Sequence, residues 1–190
     1  PCPRLFAAPI KQENLMNLRH LLPAALLLAS LNSHAGLIHQ YRLNGSLSDD
    51  MGGLSLVSKG GSLTESHYVF GANKGLALEE RLGGVYTIDF MYSLDSQSSW
   101  RKLIDFANRT WDTGVYTNSG FAAVYNGGGS IATTGKVLGG VESQFTLTRN
   151  AAGMTQAFVN KQLVLSYNDA GSALAFNTGV ANFFMDEAVN

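Results

Sequence analysis

The chain has 190 residues, enough for one domain with a buried core, and its formal net charge is only -1. This balance excludes an electrostatic argument for a nucleic-acid partner or an acidic membrane surface. Charged residues make up only 14% of the chain and Gly accounts for 21 residues, which favours an all-β fold with many turns.

The first 35 residues have the pattern of an export signal behind an upstream segment. Residues 1–15 show no periodicity and are interpreted as sequence outside the domain. Residues 16–35 begin with a short basic region around Arg19 and continue with the apolar run 21–31, which is too short to cross a bilayer. We predict a signal peptide cleaved near Ala35, a secreted or cell-surface protein, and no transmembrane span after cleavage. A buried core helix is the alternative interpretation.

From residue 36 onward the chain alternates between short apolar-patterned segments and turn-forming residues. Period-2 alternation and β-branched or aromatic residues predict strands, and Gly, Asn, Asp and Ser predict the turns between them. Predicted strands cover 37–43, 54–58, 68–70, 75–79, 86–92, 100–106, 112–116, 121–125, 142–149, 154–167 as a hairpin turning at Asn160-Lys161, 174–176 and 180–185. The glycine-rich run 126–130 predicts a loop tip. We therefore expect ten or more antiparallel strands and almost no helix.

The segment 86–106 is the part around which the other strands are predicted to be arranged. Tyr86, Ile88 and Phe90 share one face of its first strand, and Leu103 and Ile104 give the second strand its apolar character. The segment 94–99, which is rich in Asp, Ser and Gln, is predicted to join the two strands as a surface link. Such a strand pair is stable only when its apolar face meets a second layer.

Several of these segments, in their order and spacing, resemble a laminin-G-like, concanavalin-A-type jelly roll of exported bacterial proteins. The segments that carry the resemblance are 37–50 (LIHQYRLNGSLSDD), 75–78 (GLAL), 86–90 (YTIDF), 100–106 (WRKLIDF), 112–116 (DTGVY), 145–149 (FTLTR), 157–160 (AFVN) and 183–187 (FFMDE). The resemblance covers nearly all of 36–190 and implies an all-β, two-sheet antiparallel sandwich. It also implies a secreted or cell-surface protein, of a kind that often carries a C-terminal sorting signal.

The C-terminal end departs from the family pattern. Family members usually continue past a segment like 183–187 into another strand, so we expect the domain 36–190 to be incomplete at its C-terminus. Because first and last strands commonly pair in jelly rolls, the strand 37–43 is expected to have an unpaired edge. The family's usual second Asp is Glu187 in this sequence.

The carboxylates do not form a recognisable catalytic motif. Glycoside hydrolases with this fold place two carboxylates on one strand as Glu-x-Asp-x-x-Glu, and this pattern is absent. Glu79 and Glu80 are adjacent, so a strand would direct them to opposite faces. A cross-strand pair of Asp89 and Asp105 is possible, although solvated strand acids are the simpler interpretation. We predict that the protein is not an enzyme, with a glycoside hydrolase as an alternative.

A calcium ion is the one cofactor that the resemblance implies, because laminin-G-like modules often hold Ca²⁺ at a rim of the sandwich. Calcium prefers six to eight oxygen ligands. The candidate ligands are Asp49, Asp50, Asp186 and Glu187. The alternative is that these carboxylates only solvate turns.

Aromatic and amide side chains near strand ends suggest a surface that binds sugars. Exposed rings stack on sugar faces while amides and carboxylates bind hydroxyl groups. The candidate ligand-binding residues are Trp100, Trp111, Tyr116, Tyr125, Asn118 and Asn126. We predict an exported, non-catalytic module for a polysaccharide or surface glycoconjugate. A structural or protein-interaction component of the cell surface is the other alternative, in which these rings pack at the rim.

Overall fold

The computed structural model describes residues 36–137 and 139–187. The upstream segment 1–15 and the predicted signal peptide 16–35 lie outside the described residues. Within the described part there is no α-helix, and thirteen β-strands account for the regular structure. None of the described residues forms a helix of the length and hydropathy needed to cross a membrane.

The strands are short and follow one another closely along the chain. They are β1 (Val57–Ser58), β2 (Ser62–Leu63), β3 (Tyr68–Val69), β4 (Leu76–Leu78), β5 (Tyr86–Tyr92), β6 (Trp100–Asp105), β7 (Thr113–Asn118), β8 (Phe121–Asn126), β9 (Ser130–Lys136), β10 (Ser143–Arg149), β11 (Met154–Val159), β12 (Gln162–Asn168) and β13 (Ala181–Phe183). All belong to one unit, which begins at Ile38.

The strands form two main sheets and a small third one. The larger sheet has seven strands in the order β1-β4-β13-β6-β7-β8-β9, and the smaller main sheet has the order β12-β11-β10-β5. Strands β2 and β3 form a separate two-stranded sheet, and all the pairings are antiparallel. The architecture is the two-sheet antiparallel jelly-roll sandwich predicted from the sequence.

The core lies between the two main sheets and follows the alternation of the strands. In β10, Phe145 and Leu147 are fully buried, as predicted, and Phe145 stacks on Phe90 of β5 at a centroid distance of 5.2 Å. The seven-stranded sheet contributes Ile104 and Val115 to the same cluster. Burying a side chain of this size stabilises the fold by about 1.5–3 kcal/mol.

Strands β5 and β6 do not pair with each other, contrary to the prediction for 86–106. Strand β5 pairs with β10 over its whole length, whereas β6 lies between β13 and β7 in the opposite sheet. Their apolar faces therefore meet across the core, and the link 94–99 crosses from one sheet to the other. The sequence pattern gave the faces correctly, but it contains no information about which strand is the hydrogen-bonding neighbour.

The predicted strands 37–43 and 174–176 were wrong. In the first segment, the Gln40 amide donates to the Asp49 carboxylate at 2.8 Å, so a side chain takes the place of a strand neighbour. The predicted unpaired edge is therefore absent there, and the edges of the seven-stranded sheet are β1 and β9. In the second segment only Phe176 forms a bridge, to Gly83. Conversely, β9 was missed because its small and polar residues show no apolar alternation.

Candidate functional site

The face of the seven-stranded sheet that points away from the core carries an unusual set of polar and aromatic side chains. A bulge at Leu103 interrupts the pairing of β6 with β7. Because of this extra residue, Lys102 and Asp105 lie on the same face, although three-residue spacing would otherwise separate them. Lys102 lies opposite Tyr116 of β7, and Asp105 lies opposite Gly114.

Three aromatic rings form one side of a cavity on this face. The cavity has a volume of about 310 Å³ and is lined by Trp100, Asp112, Tyr116, Tyr125 and Asp186. The Trp100 ring meets Tyr116 edge-on at 5.4 Å and Tyr125 at 6.3 Å between centroids. Contacts of this geometry each stabilise the arrangement by about 0.5–1.5 kcal/mol. Trp100 remains 37% exposed, so part of its surface is open to a ligand.

The ammonium of Lys102 lies beneath this cavity among four carboxylates. Its Nζ is 2.9 Å from Asp186 Oδ1, 3.2 Å from Glu187 Oε2, and 3.5 Å from oxygens of Asp105 and Asp112. The lysine side chain is almost completely buried, whereas the Asp112 and Asp186 side chains are about two-fifths exposed. The site thus has a buried cation at its base and carboxylates that reach the surface.

The Tyr116 hydroxyl connects two of these carboxylates. It donates to Asp112 Oδ1 at 2.5 Å, which is typical of a bond to a charged oxygen, and lies 3.0 Å from Asp186 Oδ1. Burial, followed by the bonds and charges of Asp112 and Asp186, raises the pKa of Tyr116 far above its usual value. The phenol therefore keeps its proton and holds the two carboxylates close to each other.

The protonation of the cluster follows from burial and from the bonds within it. Burial alone would lower the pKa of Lys102, but its bonds and charge interactions with the carboxylates raise it overall, so the ammonium stays charged. Burial would raise the pKa of Asp186, yet bonds from Glu187 and Lys102 lower it. The bond to Asp186, then burial, raises the pKa of Glu187, and burial raises that of Asp105. Lys102 and Asp186 thus form the charged pair at the centre.

The carboxylates of Asp112, Asp186 and Glu187 are close enough to be considered as a calcium site. One oxygen of each lies within 4.8 Å of the others. However, Lys102 Nζ is 2.9–3.5 Å from all three side chains and takes the position that a shared metal ion would need. Calcium also requires six to eight oxygens at 2.3–2.6 Å. The arrangement does not fit a calcium ion, and the lysine supplies the positive charge.

Asp49 and Asp50, the other two candidate calcium ligands, lie outside this carboxylate group. The Asp49 side chain is fully buried, and its two oxygens accept from the backbone amides of Gln40, Met51 and Gly53 and contact His39 Nδ1 at 2.8 Å. Burial would raise its pKa, but these bonds lower it to about 2. Its acceptor positions are occupied by the loop. Asp50 forms an ion pair with Arg42, and its Oδ2 lies 2.7 Å from the Arg42 Nε.

The remaining candidate ligand-binding residues lie at the ends of the strands that build the cavity. Asn118 lies opposite Trp100 on β7 and is half-buried. Trp111 is 60% exposed and packs against Gly127 after β8. Asn126 donates to the Tyr167 hydroxyl at 3.1 Å. The structure therefore brings Trp100, Tyr116 and Tyr125 together, with Asn118 beside Trp100.

Sequence reasoning did not identify Lys102 and Asp112 as members of the site. A lysine between Arg101 and Leu103 has the pattern of a solvated strand residue, and no sequence signal marks the bulge. Asp105 was considered only as a partner of Asp89. Asp89 lies in the other sheet, where Gln144 and Thr146 donate to its carboxylate, so that pair does not form.

Comparison with known proteins supports the fold. No family model matches the chain, and no curated protein matches it by sequence. A solved structure of botulinum neurotoxin type C, whose cell entry depends on interaction with two ganglioside molecules, is similar over 81% of this chain with a TM-score of 0.57 and 11% identity. The similarity covers 43% of the neurotoxin chain, less than half of its length. Sheep galectin-11 in complex with glycerol aligns with a TM-score of 0.40 and 14% identity, over 57% of this chain and 87% of its own.

Proposed function

We propose that the protein is an exported, non-catalytic module that binds carbohydrate in the cavity formed by Trp100, Tyr116 and Tyr125. The observation that carries the proposal is the joint position of three rings and two partly exposed carboxylates around one cavity of about 310 Å³. Sugars have apolar C–H faces and a rim of hydroxyl groups. Rings bind the faces and carboxylates accept from the hydroxyls.

The geometry of Trp100 supports this assignment. Two edge-on contacts fix its orientation before any ligand arrives, which reduces the entropy lost on binding. Its exposed part lies beside Asp112 and Asp186 in the cavity wall. Lys102 and Tyr116 hold these carboxylates in place from below, so their outer oxygens are oriented acceptors.

The proposal is consistent with the similar fold of botulinum neurotoxin type C, which interacts with gangliosides. That interaction concerns the neurotoxin, and the likeness at 11% identity concerns the fold. The proposal for this chain depends on its own cavity. Export is proposed from the signal-like pattern of residues 16–35, and N-terminal sequencing of protein recovered from the medium or cell surface should begin at Gly36.

A glycan array followed by calorimetry on the strongest ligand tests the proposed function. Trp100→Ala should weaken binding about tenfold or more, because one stacking ring contributes about 1–3 kcal/mol. Met91→Ala, which changes an exposed residue on the opposite sheet, is the matched control and should bind normally. Absence of any glycan binding above that of heat-denatured protein would overturn the proposal.

A glycoside hydrolase is a second candidate because Asp112 and Asp186 line the same cavity with oxygens within 4.8 Å of each other. Retaining enzymes place their two carboxyl groups about 5–5.5 Å apart and inverting enzymes about 6.5–9.5 Å, so a pair this close favours retention. Burial would raise the pKa of Asp186, but bonds from Glu187 and Lys102 lower it, as a nucleophile would require. Release of reducing sugar from a bound glycan, abolished in Asp186→Asn, would favour this function over simple binding.

A further inference from the structure

A second cavity lies on the other side of the segment that follows β13. It has a volume of about 320 Å³ and is lined by Lys59, Glu79, Asn108, Arg109, Val180, Asn182 and Met185. Met185 faces this cavity and Asp186, the next residue, lines the aromatic cavity. One segment of chain thus contributes a residue to the lining of each cavity.

Arg109 is held firmly in the wall of the second cavity. Its backbone amide donates to Asp105 Oδ1 at 2.8 Å, and its Nε donates to the Asp186 carbonyl at 2.6 Å. Both Asn108 and Arg109 have left-handed backbone conformations, with φ of 50° and 61°. Such conformations are costly for residues other than glycine and persist where surrounding contacts fix them.

The guanidinium of Arg109 still has two terminal nitrogens available. Among the residues that the structure describes, only the Nε of this side chain has a hydrogen-bond partner, and neither terminal nitrogen has one. The fork of N–H groups at this end of an arginine matches the two oxygens of a carboxylate or sulfate. Since Nε is used to hold the side chain, the fork is oriented before a ligand binds.

The charges around the second cavity favour an anion. Lys59 and Glu79 pair at 3.2 Å and their charges cancel, so the lining has the net positive charge of Arg109. The buried Asp105 lies behind the lining, where it accepts from the Arg109 amide and from Asn182. The aromatic cavity has the opposite character, because Asp112 and Asp186 line it. An anionic group would be repelled there and attracted beside Arg109.

We propose that the cavity around Arg109 binds the carboxylate or sulfate of an acidic glycan whose adjacent neutral sugar occupies the aromatic cavity. This inference rests on the proposed function and adds the ligand class and its direction of binding. The charged group lies on the Arg109 side of Met185, and the uncharged ring stacks on Trp100. The adjoining asparagines, Asn108 and Asn182, lie where they can bind the hydroxyls of the charged sugar.

An array of matched glycan pairs tests the ligand class. Each pair has the same backbone and differs only in charge: oligogalacturonate against its methyl ester, and sulfated against unsulfated oligogalactan. We expect the protein to bind the charged member of each pair more tightly than the neutral member. Comparing the carboxylate pair with the sulfate pair shows which anion is bound. Arg109→Gln should weaken binding of the charged member about tenfold or more, because a hydrogen bond to a charged group is lost. The charged member should lose more affinity than its neutral partner, because only the charged member contacts the terminal nitrogens of the guanidinium.

Lys161→Gln removes the same charge from the β11–β12 turn of the other sheet and should keep the preference. Equal binding of charged and neutral members would overturn the inference while leaving the proposed function in place. Absence of binding to all glycans would overturn the proposed function instead.

The anion site beside Arg109 can then still be tested by titrating sodium sulfate and sodium galacturonate and following the Arg109 Nε–H resonance by NMR. A saturable shift in the wild type and in Lys161→Gln supports the anion site, and no shift with either salt overturns it.

Discussion

The ammonium of Lys102 lies 2.9 Å from Asp186 Oδ1, and this ion pair ties the middle of strand β6 to the segment after β13. The same segment separates the aromatic cavity from the cavity around Arg109. One buried lysine therefore supports the shape of both cavities. Its removal should affect the stability of the fold and the arrangement of the binding surface together.

Lys102→Met should destabilise the protein by about 2–3 kcal/mol at pH 7. Removing one member of a buried ion pair costs about 3–5 kcal/mol, and the partial exposure of Asp112 and Asp186 reduces this cost. Methionine keeps most of the side-chain volume, so the loss reports on charge. Urea unfolding at pH 7 and pH 4 measures it, with Lys161→Met as an exposed control that should change little.

The loss in Lys102→Met should shrink at pH 4. The pKa values of Glu187 and Asp105 are raised in the folded protein, so these carboxyls take up protons toward pH 4 and their repulsion is relieved when the lysine is absent. The pKa of Asp186 is lowered in the folded wild type, so the stability that Asp186 provides is still present at pH 4 and fades only at lower pH. An equal loss at both pH values would indicate that packing, not charge, explains the effect.

Calcium should be unnecessary for the wild-type protein. Because Lys102 already occupies the position between the three carboxylates, EDTA should leave both the melting temperature and glycan binding unchanged. In Lys102→Met the vacated position is open to a cation, and calcium at several times its dissociation constant should restore about 1 kcal/mol. A fall in the wild-type melting temperature on chelation would show that a metal ion binds in spite of the lysine.

Tyr116→Phe should destabilise the protein by about 1–2 kcal/mol, since it removes the hydroxyl that donates to Asp112 and lies 3.0 Å from Asp186, and it keeps the ring contact with Trp100. Tyr125→Phe is the matched control. Tyr125 lines the same cavity, and its hydroxyl has no hydrogen-bond partner among the described residues. Thermal unfolding of both variants should separate them, and equal melting temperatures would contradict the role of the Tyr116 hydroxyl.

Alternation along the strands made the fold class, the core and one hairpin predictable. Phe145 and Leu147 point inward as the period-2 pattern requires, and the predicted turn at Asn160-Lys161 joins β11 to β12. Trp100, Tyr116 and Tyr125 were predicted as candidates from their positions near strand ends, and the sheet brings them to one cavity. Local patterns carried all of this information.

The charged centre of the site was not predictable because it depends on tertiary contacts. Lys102 shares a face with Asp105 only through the bulge at Leu103, and it meets Asp186 only because β13 lies beside β6. Neither the bulge nor the strand order leaves a local sequence signal. The irregular path of residues 37–43 has a similar origin, since the Asp49 side chain replaces a strand partner.

Asp49 should make the stability of its loop depend on pH in the acid range. Its folded pKa of about 2 lies below the ordinary value of 3.8, so its contribution is complete above pH 3.8 and is lost as the pH falls through 2. Asp49→Asn should lower the melting temperature at pH 7, and the gap to the wild type should close toward pH 2. Asp50→Asn, in an exposed ion pair, is the control and should change little. A gap that stays constant with pH would show that shape, not charge, matters.

The β11–β12 turn allows two glycine substitutions with opposite expected signs. Asn160 and Lys161 both have positive φ, at 48° and 68°, as in a type I′ hairpin turn. Lys161→Gly should stabilise the protein by about 0.5–1 kcal/mol, because relief of the left-handed strain exceeds the added unfolded-state entropy of glycine. Asn160→Gly should instead destabilise it by a similar amount, since Asn160 Oδ1 accepts from the Gln144 amide at 2.9 Å. Denaturant unfolding of the two variants measures both signs. If both substitutions stabilised the protein, the hydrogen bond of the Asn160 side chain would contribute nothing. Relief of left-handed backbone strain would then explain both changes in stability.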